Sequence, residues 1–98
     1  MRYKSFEFNG EQIENDNDIN SILKDHKFFW LVDSEFEDAE IELIRDTIIW
    51  KSGNYLHGSW KYGIWLMGTF YGKWLNGIFE DGDFKGNWIS GIDNRNKK

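Results

Sequence analysis

Ninety-eight residues are material for one domain. The absence of cysteine excludes a disulfide framework and any cysteine-based zinc site. The formal net charge of −5 divides unevenly: residues 1–50 hold thirteen acids against five bases, and residues 51–98 hold four against seven.

An acidic front half and a mildly basic back half bear on partners and say little about fold. No long apolar run and no charged–apolar–small N-terminal pattern is present, so neither a membrane span nor a signal peptide is expected, and the cytoplasm is the expected setting. The chain lacks proline and is rich in Ile, Asn, Lys and aromatics, the bias of an AT-rich coding sequence, which points to a low-GC bacterium or a phage or other mobile element.

In chain order, Arg2 to Phe8 alternates, with Phe6 and Phe8 on one face. Asn9-Gly10 is a strong hairpin signal, so Glu11 to Glu14 is predicted to return as a second strand. Asp16, Asn17 and Asp18 are candidate caps for a helix whose apolar positions are Ile19, Ile22 and Leu23, ending near Lys27. Phe28 to Val32 reads as a buried strand. Ala39 to Ile44 alternates with Ile41 and Leu43 inward, and Thr47 to Trp50 leads into a repeat.

The repeat dominates the rest. Glycine recurs at 53, 58, 63, 68, 72, 77, 82, 86 and 91, at intervals of five or four. Two residues after each of the first eight stands an aromatic: Tyr55, Trp60, Trp65, Phe70, Trp74, Phe79, Phe84 and Trp88. A fourteen-residue unit shows at the end, where the stretch from Gly68 is echoed from Gly82. A helix is excluded, since each glycine would cost about 1 kcal/mol relative to alanine. In a strand, residues two apart share a face, so each glycine leaves space for a neighbouring ring. Asn76-Gly77, Asp81-Gly82 and Ser90-Gly91 read as turns.

Phe70-x-Gly72-x-Trp74-x-x-Gly77 and Phe84-x-Gly86-x-Trp88-x-x-Gly91 resemble the core of the MORN repeat, with a looser echo from Tyr55 to Gly63. The resemblance covers roughly residues 50–92 and implies an antiparallel meander of short hairpins in a mostly non-catalytic module for protein, and sometimes lipid, contact. The spacing is shorter than that family's. A small residue two before a large one, every five residues, is also similar to the pentapeptide-repeat β-solenoid, in which each five-residue unit forms one side of a coil. The expected fold is therefore mainly β (α+β) in a single domain. A small acidic α+β cap (1–47) precedes a glycine–aromatic repeat sheet (48–92), an antiparallel β-meander with a short β-solenoid as the alternative, and a frayed tail (93–98).

Chemistry-bearing residues are few. His26 sits at a helix end, where the dipole favours a cation. His57 lies in a Leu-His-Gly turn with no second histidine near it in sequence, and a base needs a positioned partner. Asp16-x-Asp18-x-Asn20 fails as a calcium loop, because Ser21 and Lys27 stand where glycine and glutamate are required. No phosphate loop, nucleophile elbow or dinucleotide fingerprint is present. No catalytic residue, metal ligand or cofactor is expected.

The expectation is a non-enzymatic protein–protein interaction module, in the form of a small phage or mobile-element inhibitor of a host factor. Its contact residues would be Glu35, Glu37, Asp38, Glu40 and Glu42 on an acidic surface that imitates phosphates or docks on a basic partner. Trp60, Tyr62, Trp65 and Trp74 would contribute from the repeat. The alternative is a nucleic-acid- or glycan-binding module using exposed Trp, Tyr and Lys of the repeat, where Lys51, Lys61, Lys73 and Lys85 recur. An open sheet edge is a further candidate contact for a second copy.

Overall fold

The structure, a computed structural model, describes residues 1–95. Strand β1 (Tyr3–Phe8) turns at Asn9-Gly10, both at positive φ, into the two-residue β2 (Glu11–Gln12), shorter than the return strand expected over 11–14. Helix α1 (Asp16–Asp25) follows, capped by Asn15, whose Oδ1 accepts from the N–H groups of Asn17 and Asp18. The cap therefore sits one residue before the expected candidates, because Asp16 and Asp18 lie in the first turn, where their charge complements the helix dipole. Ile19 and Leu23 fill the core side of α1.

Residues 28–32 are not a strand. Phe29–Val32 form one helical turn, α2, with Phe28 and Leu31 buried three apart on one side. A short apolar run does not distinguish helix from strand by periodicity, and the helical spacing wins here because the run packs against α1 and the start of the repeat. Arg2 fixes α2 from the side: its guanidinium donates to the carbonyls of Ser34 and Val32 at 2.8 and 2.6 Å and lies 4.0 Å from the centre of the Phe36 ring.

Strand β3 (Glu35–Ile44), four residues longer than expected at its start, pairs in parallel with β1 and antiparallel with β4 (Thr47–His57). From there the chain winds in one sense. The strands β5 (Ser59–Trp60), β6 (Ile64–Trp65), β7 (Thr69–Phe70), β8 (Lys73–Trp74), β9 (Ile78–Phe79), β10 (Asp83–Phe84), β11 (Asn87–Trp88) and β12 (Ile92–Asp93) are two residues each. Every pairing among them is parallel: Trp50 with Trp65 and Trp65 with Phe79, Tyr55 with Phe70 and Phe70 with Phe84, Trp60 with Trp74 and Trp74 with Trp88. The repeat is thus a three-sided β-solenoid of about three turns. The meander expected first is replaced by its alternative. A glycine at each corner turns the chain onto the next side without reversing it, so each strand finds its partner one coil away.

The registers give the coil length. Paired positions 50 and 65, and 55 and 70, are fifteen apart; positions 60 and 74, and every later pair, are fourteen apart. The extra residue of the first coil falls between Tyr55 and Trp60, beside His57. The nine inward rings form three tiers. Rings in one tier meet edge-on, as Trp65 meets Phe70 at 5.4 Å and 88°, while rings in successive tiers lie face to face, as Trp50 lies on Trp65 at 4.7 Å and 7°. Both geometries are favoured by the ring quadrupole.

Glycine is required at the corners by the closeness of the coils. The carbonyl of Gly63 accepts from Ile78 N–H at 2.9 Å, and a Cβ on Gly77 would stand 2.5 Å from that same oxygen. The missing Cβ atoms also leave room for indoles: Trp60 Nε1 lies 3.2 Å from where Gly77 would carry one, and Trp74 Nε1 lies 2.9 Å from the same place on Gly91.

The cap closes the first coil on all three sides. β3 borders two of them and bends at Asp38, whose φ of +54° marks a bulge set against Gly53. α2 borders the third, with Trp30 edge-on to Trp60 at 5.1 Å. At the far end, β12 continues into Asn94, which donates its backbone N–H to Phe79 O, and into Arg95, whose guanidinium lies 4.9 Å from the centre of the Phe79 ring. Residues 93–95 are therefore built into the last coil, where a frayed tail was expected. The rest of that tail, 96–98, lies outside the described residues.

Candidate interaction surfaces

The acidic residues singled out in the sequence all lie on β3, but in two environments. Glu40 and Glu42 face outward from the sheet and meet cations: Lys4 Nζ is 3.4 Å from Glu40, and Lys51 Nζ is 3.3 Å from Glu42. Glu35, Glu37 and Asp38 are exposed along the stretch of β3 that borders the first coil. Glu37 accepts from Asn54 Nδ2 at 3.3 Å. Among the described residues no Lys or Arg side chain lies within 4 Å of Glu35 or Glu37. Together with Arg2, Phe36 and the half-exposed Leu56, these two glutamates line a shallow depression.

The aromatic residues divide differently. Trp60, Trp65 and Trp74 are wholly inaccessible, Trp65 and Trp74 stacked on both faces and Trp60 stacked on Trp74 and met edge-on by Trp30, so none offers a ring face to a partner. Their assignment as contact residues is corrected on that ground: a ring two residues after a corner glycine points along the inside of the coil. Of the four repeat residues named from sequence, only Tyr62 stays exposed, with its inner edge packed on Phe28 and Trp30. The half-exposed Tyr71 was missed, and its signal is its position just after an inward ring, which always faces out.

His57 stands opposite Glu35 in the β3–β4 ladder and has no hydrogen-bond partner among the described residues. His26 is the C-cap of α1, with Nδ1 2.7 Å from Asp46 Oδ1 in the β3–β4 turn, tying the helix to that turn. No cluster of three His, Asp or Glu side chains able to hold a metal ion occurs among the described residues. No described helix is long and apolar enough to cross a membrane.

Two polar groups are tuned by the core. Tyr55 is buried, and desolvation pushes its phenol up to about 12, against the opposing hydrogen bond from the Ser34 hydroxyl. Burial likewise raises Tyr3, which donates to Asn20 Oδ1 at 2.6 Å. The Asp93 carboxylate is held low by its paired hydrogen bonds from Arg95, at 2.9 and 2.7 Å.

No protein-family model, no curated protein and no solved structure matches the chain. Its chemistry is therefore argued from its surfaces.

Proposed function

We propose that the chain is a non-catalytic protein–protein interaction module in which the solenoid is a rigid support and the acidic rim of the cap is the docking surface. The observation that carries this reading is the exposure of Glu35, Glu37 and Asp38 on the strand bordering the first coil, with no Lys or Arg side chain within 4 Å of Glu35 or Glu37 among the described residues. Glu40 and Glu42, which have their own lysines, are weaker candidates, because a docking partner would have to displace those cations. The rim fits a basic protein surface, and a partner that uses that surface for nucleic acid or phosphate would be inhibited by its occupation. Among the described residues no further strand pairs on the outer edges of β10, β11 and β12, which makes a second copy another candidate partner that sedimentation at two concentrations would reveal.

The test replaces Glu35→Lys and Glu37→Lys together with Asp38→Asn, the last chosen because asparagine tolerates the left-handed backbone there. Wild type and variant are compared as baits for capture from a bacterial lysate at low and moderate salt. A basic protein retained by wild type and lost with the variant is expected. An identical captured set for both would remove the acidic rim from the account.

A further inference from the structure

The coil register places together one group of outward side chains that shares only Leu56 with the acidic depression. On the side built from β5, β8 and β11, the outward residues are Ser59, Lys73 and Asn87 before the rings, and Lys61, Leu75 and Ile89 after them. At the leading corner of that side the same rule aligns Leu56, Tyr71 and Lys85. None of the nine is acidic. Among the described residues, Lys61, Lys73 and Lys85 have no carboxylate within 4 Å. Acids border the strip: Asp33 lines a depression with Lys61, Glu35 stands opposite His57 and lines another with Glu37 and Leu56 at the cap end, and Asp83 precedes Phe84 on the adjoining side.

This corner is also hollow. The later coils have four residues where the first has five, so the chain is drawn in after His57, and Gly72 supplies a floor without a side chain. The result is an open pocket of about 290 Å³ lined by His57, Ser59, Tyr71, Lys73 and Asn87 over the backbone of Gly58 and Gly72. Tyr71 is 49% exposed, so much of its ring is free.

We propose that this groove binds single-stranded nucleic acid. Lysines without carboxylate partners select an anion, and a half-exposed ring beside them selects a planar group. A phosphodiester chain with unpaired bases supplies both together. Tyr71 is the stacking surface for a base, Lys73 in the pocket and Lys85 at the position one coil on from Tyr71 are the phosphate contacts, and Asn87 and Ser59 offer hydrogen bonds beside them. An uncharged glycan could use the ring but not the lysines. The inference is independent of the acidic rim, which lies on β3.

The test measures fluorescence anisotropy of a short labelled oligothymidylate with the full chain at low salt, with duplex DNA and heparin as competitors. Binding is expected to be salt-dependent, with oligothymidylate preferred to duplex. Tyr71→Ala should weaken it about tenfold, and Tyr71→Phe should restore it. Lys73→Ala and Lys85→Ala should each lower the slope of log affinity against log salt by about 0.7. Lys24→Ala, on the exposed face of α1, should change neither. All four positions are exposed, so the variants are expected to fold, which circular dichroism checks. Absence of binding at low salt overturns the proposal. So does binding that Tyr71→Ala leaves unchanged and heparin displaces as well as DNA does, which would mean attraction to any polyanion.

Discussion

The indole of Trp60 lies parallel to that of Trp74, 5.2 Å between ring centres and 6° between planes, although fourteen residues separate them. Trp88 continues the stack at 5.5 Å. Two similar columns stand beside this one, through Trp50, Trp65 and Phe79 and through Tyr55, Phe70 and Phe84. The core is a bundle of ring columns, and each coil is held by the tier below and the tier above.

Position in a column should therefore set the cost of removing a ring. Trp74→Ala deletes a fully buried indole stacked on both faces and should destabilise by about 3–5 kcal/mol. Trp88 is half-buried and stacked on one face among the described residues, so Trp88→Ala should cost about half as much. Urea denaturation of the two variants checks the order, and equal midpoints would contradict the column picture.

Corner glycines should be less replaceable than the hairpin glycine. Gly77→Ala combines a φ of +119° with a Cβ 2.5 Å from Gly63 O, and should cost about 3 kcal/mol or prevent folding. Gly10 has positive φ but nothing within 4 Å of its Cβ, so Gly10→Ala should cost about 1 kcal/mol. Thermal melts of both proteins distinguish these outcomes.

Alkaline pH should unfold the chain through its buried phenols. The folded pKa of Tyr55, about 12, lies above the ordinary value of 10.0, so its contribution is fully present below pH 10 and is lost as pH rises toward 12. Tyr3 acts in the same direction. Tyr55→Phe should be less stable at neutral pH, having lost the Ser34 bond, and should show a shallower fall in stability between pH 10 and 12. Chemical denaturation across that range gives both slopes.

Tryptophan emission should be largely shielded. Trp50, Trp60, Trp65 and Trp74 are inaccessible, while Trp30 and Trp88 are half-buried. Iodide should quench only the fraction contributed by the last two, and a protein carrying Trp30→Phe and Trp88→Phe should be nearly unquenched. Strong quenching of that double variant would place the interior rings outside.

Much of this could be read along the chain. The spacing of glycine and aromatic residues defined the corner and the inward ring, and the fourteen-residue unit seen from Gly68 is the length of a coil. Asn9-Gly10 and the apolar pair Ile19 and Leu23 located the first turn and the first helix. The acidic run was also visible, although its division into lysine-paired Glu40 and Glu42 and the freer Glu35 and Glu37 was not.

What the sequence determined by itself was local: which residues turn, which rings share a face, and how long one unit is. A meander and a solenoid place the same demands on a two-residue strand, so that information leaves the pairing direction open. Tertiary structure decided it, because hydrogen bonds such as Leu75 N–H to Trp60 O join residues fifteen apart, and they form only when the chain closes a coil over the previous one. The same closure turned Trp60, Trp65 and Trp74 inward and brought Tyr71, Lys73 and Lys85 together on one corner. Surface chemistry depends on which coils stack, and that is a long-range property.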